Sequence, residues 1–430
     1  MSVLPSPNLP TWEQIPDDLA AATREIKAAI RARIASSGRT VEEVFAVIEA
    51  VVTNRVAEIE AANAAGETSW TVVDFVDIAN GTVSEATVEH LRRSGCLVVA
   101  NHFPHEQARQ WDQEIVDYVE ANDLAGTYVG RGDDFFATAK SLPEMFPIYW
   151  SSAQMEAHQS EEMAVVQSFL HRRWSWKSND QQWFDPDHNA VYPDRIRRRP
   201  PGVDSNGLGA HFDTGNLDLW MTSAYQAAFR HVFDGSIESF DPWDAAYRTA
   251  GTQYPGTTMC SAFRSFQGWT ALSDMSNDQG VLWAIPVPEA IAYLLLRPLL
   301  DDVPDDEMCG VTVNRVFALD ERWHELLLRG QSLIPDVRAG DSVWWHCDLV
   351  HGVAPITEQV GWGNVMYIPA APWCERNEKY AKKLLRAFET GSSPSDFPEE
   401  DYERTWEGRF HAAQLNPIGR RGFGLSPEAE

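Results

Sequence analysis

Near residue 190 the chain changes texture, and this limits its fold more than any single motif does. Downstream, short apolar runs bounded by Gly, Pro and Asp follow one another: "DRIRRR", "GLGAHFD", "SAFRSFQGWTAL", "GVLWAIPV", "VTVNRVFAL", "SVWWHC" and "GNVMYIPA". Many short strands without regular helical spacers predict an antiparallel barrel or a double-sheet jelly roll. Two helical pieces interrupt them, "EAIAYLLLRPLL" and the tail helix "ERNEKYAKKLLRAFETG". Upstream the pattern is helical. "TVEEVFAVIEAVVTNRVAEIEAANAAG" opens with Thr40 and Glu43 at capping-box spacing, repeats Val44, Val47, Ile48, Val51, Val52 and Ile59 on one face, and closes at Gly66. "VSEATVEHLRRSG", "HEQARQWDQEIVDYVEAND" and "EEMAVVQSFLHRRW" read as further helices, with "CLVVANHF" a buried strand between the first two. The expected class is α+β: a helical region over 1–90 packed on a β domain over 91–430, with a helical insertion at 214–259 and a C-terminal helix.

Charge narrows the function classes. The chain carries 63 acidic against 35 basic residues, a formal net charge of −28. Such an excess repels phosphate backbones and anionic bilayers, so neither nucleic acid nor a membrane surface is an expected partner. No stretch approaches the roughly 18 apolar residues a membrane span needs, and "MSVLPSPNLPTWEQIP" is no secretory signal. Cys96, Cys260, Cys309, Cys347 and Cys374 are odd in number and lack CxxC spacing, which predicts reduced thiols in a cytoplasmic protein.

The chemistry starts at "GLGAHFDTGNLDLW". On a strand, residues i and i+2 share a face, so His211 and Asp213 would project an imidazole and a carboxylate into one cavity. A third metal ligand is still required, and His351 in "RAGDSVWWHCDLVHGVAP" is the best candidate. Two histidines and one carboxylate on one face of an octahedral ion leave adjacent open positions, the pattern of non-heme Fe(II) oxygenases. Alone, a His-x-Asp pair is a weak signal, and His346 with Asp348 forms a second one.

Six stretches together resemble a known family: "LRRSGCLVVANHFPHEQA", "YPDRIRRRPPG", "HFDTGNLDLW", "FRSFQGWTALSDMSNDQGVLWAIP", "GDSVWWHCDLVHGV" and "YIPAAPWCERNEKY". Spanning roughly residues 90 to 380, they are similar to the YbiU-like domain-of-unknown-function family, within the phytanoyl-CoA-hydroxylase-like Fe(II)/2-oxoglutarate dioxygenases. The resemblance implies a double-stranded β-helix with Fe(II) held by His211, Asp213 and His351, 2-oxoglutarate as co-substrate and O2 as oxidant. It implies hydroxylation of a small molecule with release of succinate and CO2, and halogenation is disfavoured because Asp213 occupies the carboxylate position.

One departure stands out. Most of that branch carries an arginine ten to fifteen residues beyond the second histidine, to pair with the distal carboxylate of 2-oxoglutarate, whereas "HGVAPITEQVGWGNVMYIP" has none. A carboxylate in a dry pocket still needs a cation, preferably a bidentate guanidinium. Arg264 in "SAFRSFQGW" is the first choice, with Asn364 as a further contact. Alternation along "DRIRRR" sends Arg195, Arg197 and Arg199 to one face and Ile196 and Arg198 to the other. Either the first set lines the cavity, where Arg195 and Arg197 would hold the co-substrate itself or, with Trp269, a carboxylate-bearing substrate, or the run is a solvated edge strand. The aromatics between Thr214 and Met259 form either a lid or ordinary packing. Two other readings compete: a zinc-type metallohydrolase built on His346, Asp348 and His351, and a β-barrel binding protein without turnover. Strand parity counts against the hydrolase, since His351 lies an odd number of residues from the other two.

Overall fold

Side-chain alternation along the strands decides how the layers stack. The structure is a computed structural model and describes residues 9–129, 144–178, 180–250 and 260–428. A seven-stranded sheet runs in the order Thr71–Asp74, Cys96–Ala100, Ser342–His346, Phe266–Ala271, Val365–Tyr367, Ile196–Arg197, Met145–Phe146. A five-stranded antiparallel sheet runs Phe317–Ala318, Leu208–Phe212, His351–Val353, Leu282–Ala284, Ser332–Leu333. From Ile196 onward the chain repeatedly crosses between the two, so strands distant in sequence become neighbours.

The inner faces meet in one shared core. Val98, Trp269, Ala271, Val343, Trp345 and Val365 from the larger sheet pack with Leu282 and Ala284 from the smaller one. Alternate residues point outward and are covered by helices. Phe212, Trp283 and Phe317 pack against Ile30, Val44, Ile48 and Val52 of helices Leu19–Ala35 and Val41–Ala64. Leu97, Val99, Trp344 and Met366 pack against Trp111, Ile115, Val166 and Leu170 of helices His105–Ala121 and Glu161–His171. Each such side chain contributes roughly 1.5–3 kcal/mol of apolar burial, so the four-layer stack is held from both sides. Gly268 is required in this stack, because a Cβ there would sit 2.4 Å from the Trp344 ring.

Local signals account for most elements. The Val41–Ala64 helix has the complete capping box between Thr40 and Glu43. Gly95, at φ 68°, ends Glu85–Ser94 and turns the chain into Cys96–Ala100. The sheet begins earlier than the sequence suggests: Thr71–Asp74, inside the segment read as helical, pairs in parallel with Cys96–Ala100. Between 214 and 250 lie three short helices, Asp218–Met221, Ser223–Ala228 and Arg230–Phe233. Their aromatics Trp220, Tyr225, Phe229 and Phe233 are packed with the N-terminal helices, so this part is packing and not a lid; residues 251–259 of the expected insertion lie outside the described residues. Among the described residues, no helix is long and apolar enough to cross a membrane.

Candidate metal centre

The strand Leu208–Phe212 lies beside His351–Val353, and their antiparallel register sets His211 directly opposite His351. Cross-strand partners share a face, so both imidazoles point between the sheets. Small residues flank them on the outer sides, Ala318 opposite His211 and Ala284 opposite His351. Asp213 follows the last residue of the first strand. Its Oδ1 lies 3.6 Å from His211 Nε2 and its Oδ2 3.6 Å from His351 Nε2. One donor atom from each of the three residues can be chosen so that all lie within 4.8 Å of one another. Ligands about 2.1 Å from a common ion and at right angles sit roughly 3 Å apart, so a small inward movement closes the set on one cation.

Both histidines are oriented for that task by the backbone. His211 Nδ1 lies 2.9 Å from the Gly209 carbonyl and His351 Nδ1 3.1 Å from the Leu349 carbonyl. An Nδ1–H donated to a carbonyl leaves the Nε2 lone pair toward Asp213, the tautomer a metal requires. Burial, with His211 close by, lowers the His351 pKa to about 4, so that ring is neutral at physiological pH. Burial raises the Asp213 pKa, but His351, His211 and Arg264 outweigh it and hold the carboxyl below its ordinary range. A neutral His351 imidazole and an ionised Asp213 carboxylate are the protonation states metal binding selects.

The triad opens on a cavity of about 960 Å³. Arg195, Arg197, Arg264 and Trp269 line it, and the strand of Arg197 is paired on both sides, so the edge-strand reading fails. Arg199, expected with them, does not line it; its guanidinium donates to the Gln279 and Gly280 carbonyls at 2.9 and 2.6 Å. The Arg264 guanidinium stands 4.0 Å from Asp213 Oδ2 and over the Tyr192 ring. Burial opposes its charge, but Cys260, Tyr192, Asp213 and Asp194 around it keep it protonated. Arg197 is buried, donates to the Gly363 carbonyl at 3.2 Å and lies 4.0 Å from Glu144. Arg195 passes over the Phe397 ring beside Asp194. On the opposite face Arg198 pairs with both oxygens of Asp112, 3.2 Å each.

Asn364 requires a correction. Its amide donates at 3.1 Å to the same Asp112 carboxylate, behind the sheet, and it does not line the cavity. Val365 and Tyr367 are the inward residues of that strand, so position 364 faces outward. The hydrolase set also comes apart. His351 joins His211 and Asp213, while His346 and Asp348 group with Cys347. Asp348 is fully buried and takes a bidentate pair from Arg248, at 2.9 and 2.6 Å. His346 is stacked on Trp174 at 4.5 Å and accepts from the Asp348 backbone N–H.

Several cavity residues had no role assigned from the sequence: Tyr192 and Asp194, inside "YPDRIRRRPPG", and Arg315 and Asp396 line it from loops. Arg248 too was missed, since nothing in its local pattern marks a partner 100 residues away.

A family model described as Gig2-like matches residues 17–425. The chain belongs to the Gig2-like family. It is 53% identical over 418 residues to the uncharacterized protein YbiU of Escherichia coli K12, covering 96% of this chain and 98% of that one, which bears out the YbiU-like resemblance of the motifs. A crystal structure from Salmonella typhimurium LT2, of a protein provisionally named an oxidoreductase, is 53% identical with a TM-score of 0.91, covering 96% and 99% of the two chains. The Candida albicans protein GlcNAc Inducible Gene 2 shares the Gig2-like fold at 23% identity, with a TM-score of 0.75 over 97% and 92% of the chains.

Proposed function

We propose that this protein is a non-heme Fe(II)/2-oxoglutarate-dependent dioxygenase that hydroxylates a small, carboxylate-bearing molecule. The observation that carries the reading is the cross-strand pair His211–His351 with Asp213 set 3.6 Å from each Nε2. The donor set fits the ion: two imidazoles with Nδ1 tied to carbonyls and one carboxylate, on one side of a large cavity. Strand order supports the double-stranded β-helix of the phytanoyl-CoA-hydroxylase-like enzymes, and the provisional oxidoreductase name of the Salmonella relative agrees with it. Bound there, the iron would activate O2, one oxygen atom entering the substrate C–H bond and the other the succinate formed as 2-oxoglutarate loses CO2.

The chain's own residues bind, orient and exclude water. Asp213 and the two histidines would hold the ion. Arg197 stands in register with Val365, on the strand next to the one that would have carried the family's missing arginine. It, and not Arg264 to which the sequence points first, would deliver the cation for the distal carboxylate of 2-oxoglutarate from one strand over. Arg264, against Asp213, would face the metal-bound end of the same molecule. Arg195 and Trp269 would hold the substrate, with Arg315 at the exposed rim. The apolar inter-sheet core forms one wall of the site, and water excluded there would limit unproductive turnover. The five unpaired thiols accord with the cytoplasm as its location.

An anaerobic titration with Fe(II) and 2-oxoglutarate tests this. A weak visible charge-transfer band that needs both components, and is lost in His211→Ala, is expected. No band in the wild-type protein, with succinate at background over a broad substrate panel, would overturn the assignment.

A further inference from the structure

Neither end of the metal triad is held by a sheet ladder alone. Asp213 lies beyond the Leu208–Phe212 strand, and His351 is the first residue of its own. What fixes one relative to the other is a buried set of side chains. Thr214, covalently next to Asp213, places its hydroxyl 2.8 Å from the Cys347 carbonyl and 2.8 Å from Asp348 Oδ1. The Thr214 carbonyl is itself held by the Tyr225 hydroxyl at 2.8 Å. Asp348, with no solvent exposure, is gripped at both oxygens by Arg248, itself 3% exposed. From Asp348 the turn runs through Leu349, whose N–H donates to the His346 carbonyl at 3.0 Å and whose carbonyl accepts from His351 Nδ1.

We propose that Thr214, Asp348 and Arg248 form a clamp that sets the spacing between the carboxylate ligand and the second histidine. The inference rests on the metal-centre reading above. Each link from Asp213 to His351 is covalent or a hydrogen bond of 3.1 Å or less. Buried ion pairs contribute little net stability over apolar groups of equal size, so stability alone does not explain a fully buried Arg–Asp pair here. Groups that orient metal ligands from behind typically change metal affinity 10- to 100-fold when removed. The clamp also gives the 214–250 insertion a role, since Arg248, Tyr225 and Thr214 all belong to it. These three are positioning residues, because none of them lines the main cavity.

The test uses Co(II) alone as probe, read by its visible ligand-field bands. Thr214→Val keeps the shape and removes the hydroxyl. It is expected to weaken Co(II) binding about 10- to 100-fold and to alter the bands, with Thr214→Ser restoring both. Tyr225→Phe, which frees the Thr214 carbonyl and removes a hydroxyl contact of Arg376 but leaves the Thr214–Asp348–Arg248 set intact, should weaken binding by a smaller factor and serves if Thr214→Val does not fold. Wild-type binding with unchanged affinity and bands in the folded variants would overturn the clamp and leave the metal centre standing. No Co(II) uptake by the wild-type protein would overturn both.

Discussion

The chain has two His-x-Asp pairs, 211–213 and 346–348, and they meet opposite fates. At the first, the carboxylate faces two imidazoles across 3.6 Å gaps and opens on a large cavity. At the second, the carboxylate is neutralised by a bidentate guanidinium and the imidazole is stacked against Trp174. Both acids are held below their ordinary pKa range against the opposing pull of burial, chiefly by histidines at Asp213 and by Arg248 at Asp348. A depressed carboxyl therefore does not mark a metal ligand. What separates the two is whether the acid's lone pairs still have room for a cation.

The largest contrast to test is in metal binding. His211→Ala should abolish Fe(II) binding while leaving the circular dichroism spectrum intact, whereas His346→Gln should retain the metal. The reverse result would exchange the roles of the two pairs. Next in size is stability. Arg248→Met leaves Asp348 buried and unpaired and should cost about 3–5 kcal/mol in denaturant unfolding. Asp213→Asn should stay within about 1 kcal/mol, because that carboxylate is partly exposed. Equal losses would show that the two acids are not distinct in kind.

A smaller effect is expected at the cavity cation. Arg197→Gln should weaken 2-oxoglutarate binding about 10- to 100-fold by calorimetry, through loss of a charged hydrogen bond. Arg198→Gln, one residue on but on the other face, should leave it unchanged. The smallest effect concerns pH. Burial lowers the His346 pKa from 6.5 to about 4, with Arg248 adding to the shift and Asp348 opposing it. Between those values the unfolded state binds the extra proton, so this group's stabilisation is complete above pH 6.5 and is lost as pH falls toward about 4. His346→Gln should remove up to about 1.4 kcal/mol per pH unit of that slope. An unaltered slope would mean that the ring is protonated in the folded protein.

Much of this was legible in the sequence, and the reasons for the rest are physical. The capping box at Thr40 and Glu43, the strand-sized runs after residue 190 and the alternation of Arg195, Arg197 and Arg198 are local patterns, and local patterns are written in the chain. The pairing of His211 with His351 is a register between strands 140 positions apart, which no local period encodes; the need for a third metal ligand and the resemblance pointed to it. Asn364 was misplaced by a single position, and in a strand one position exchanges the two faces. Thr71–Asp74 is too short to show a period, and it owes its conformation to pairing with Cys96–Ala100.

The most direct test is a crystal structure of the protein loaded anaerobically with Fe(II), with an anomalous map at the iron edge. A single strong peak within coordination distance of His211 Nε2, His351 Nε2 and the Asp213 carboxylate is the predicted result. A peak between His346 and Asp348, or no peak in crystals shown to contain iron-saturated protein, would contradict the account.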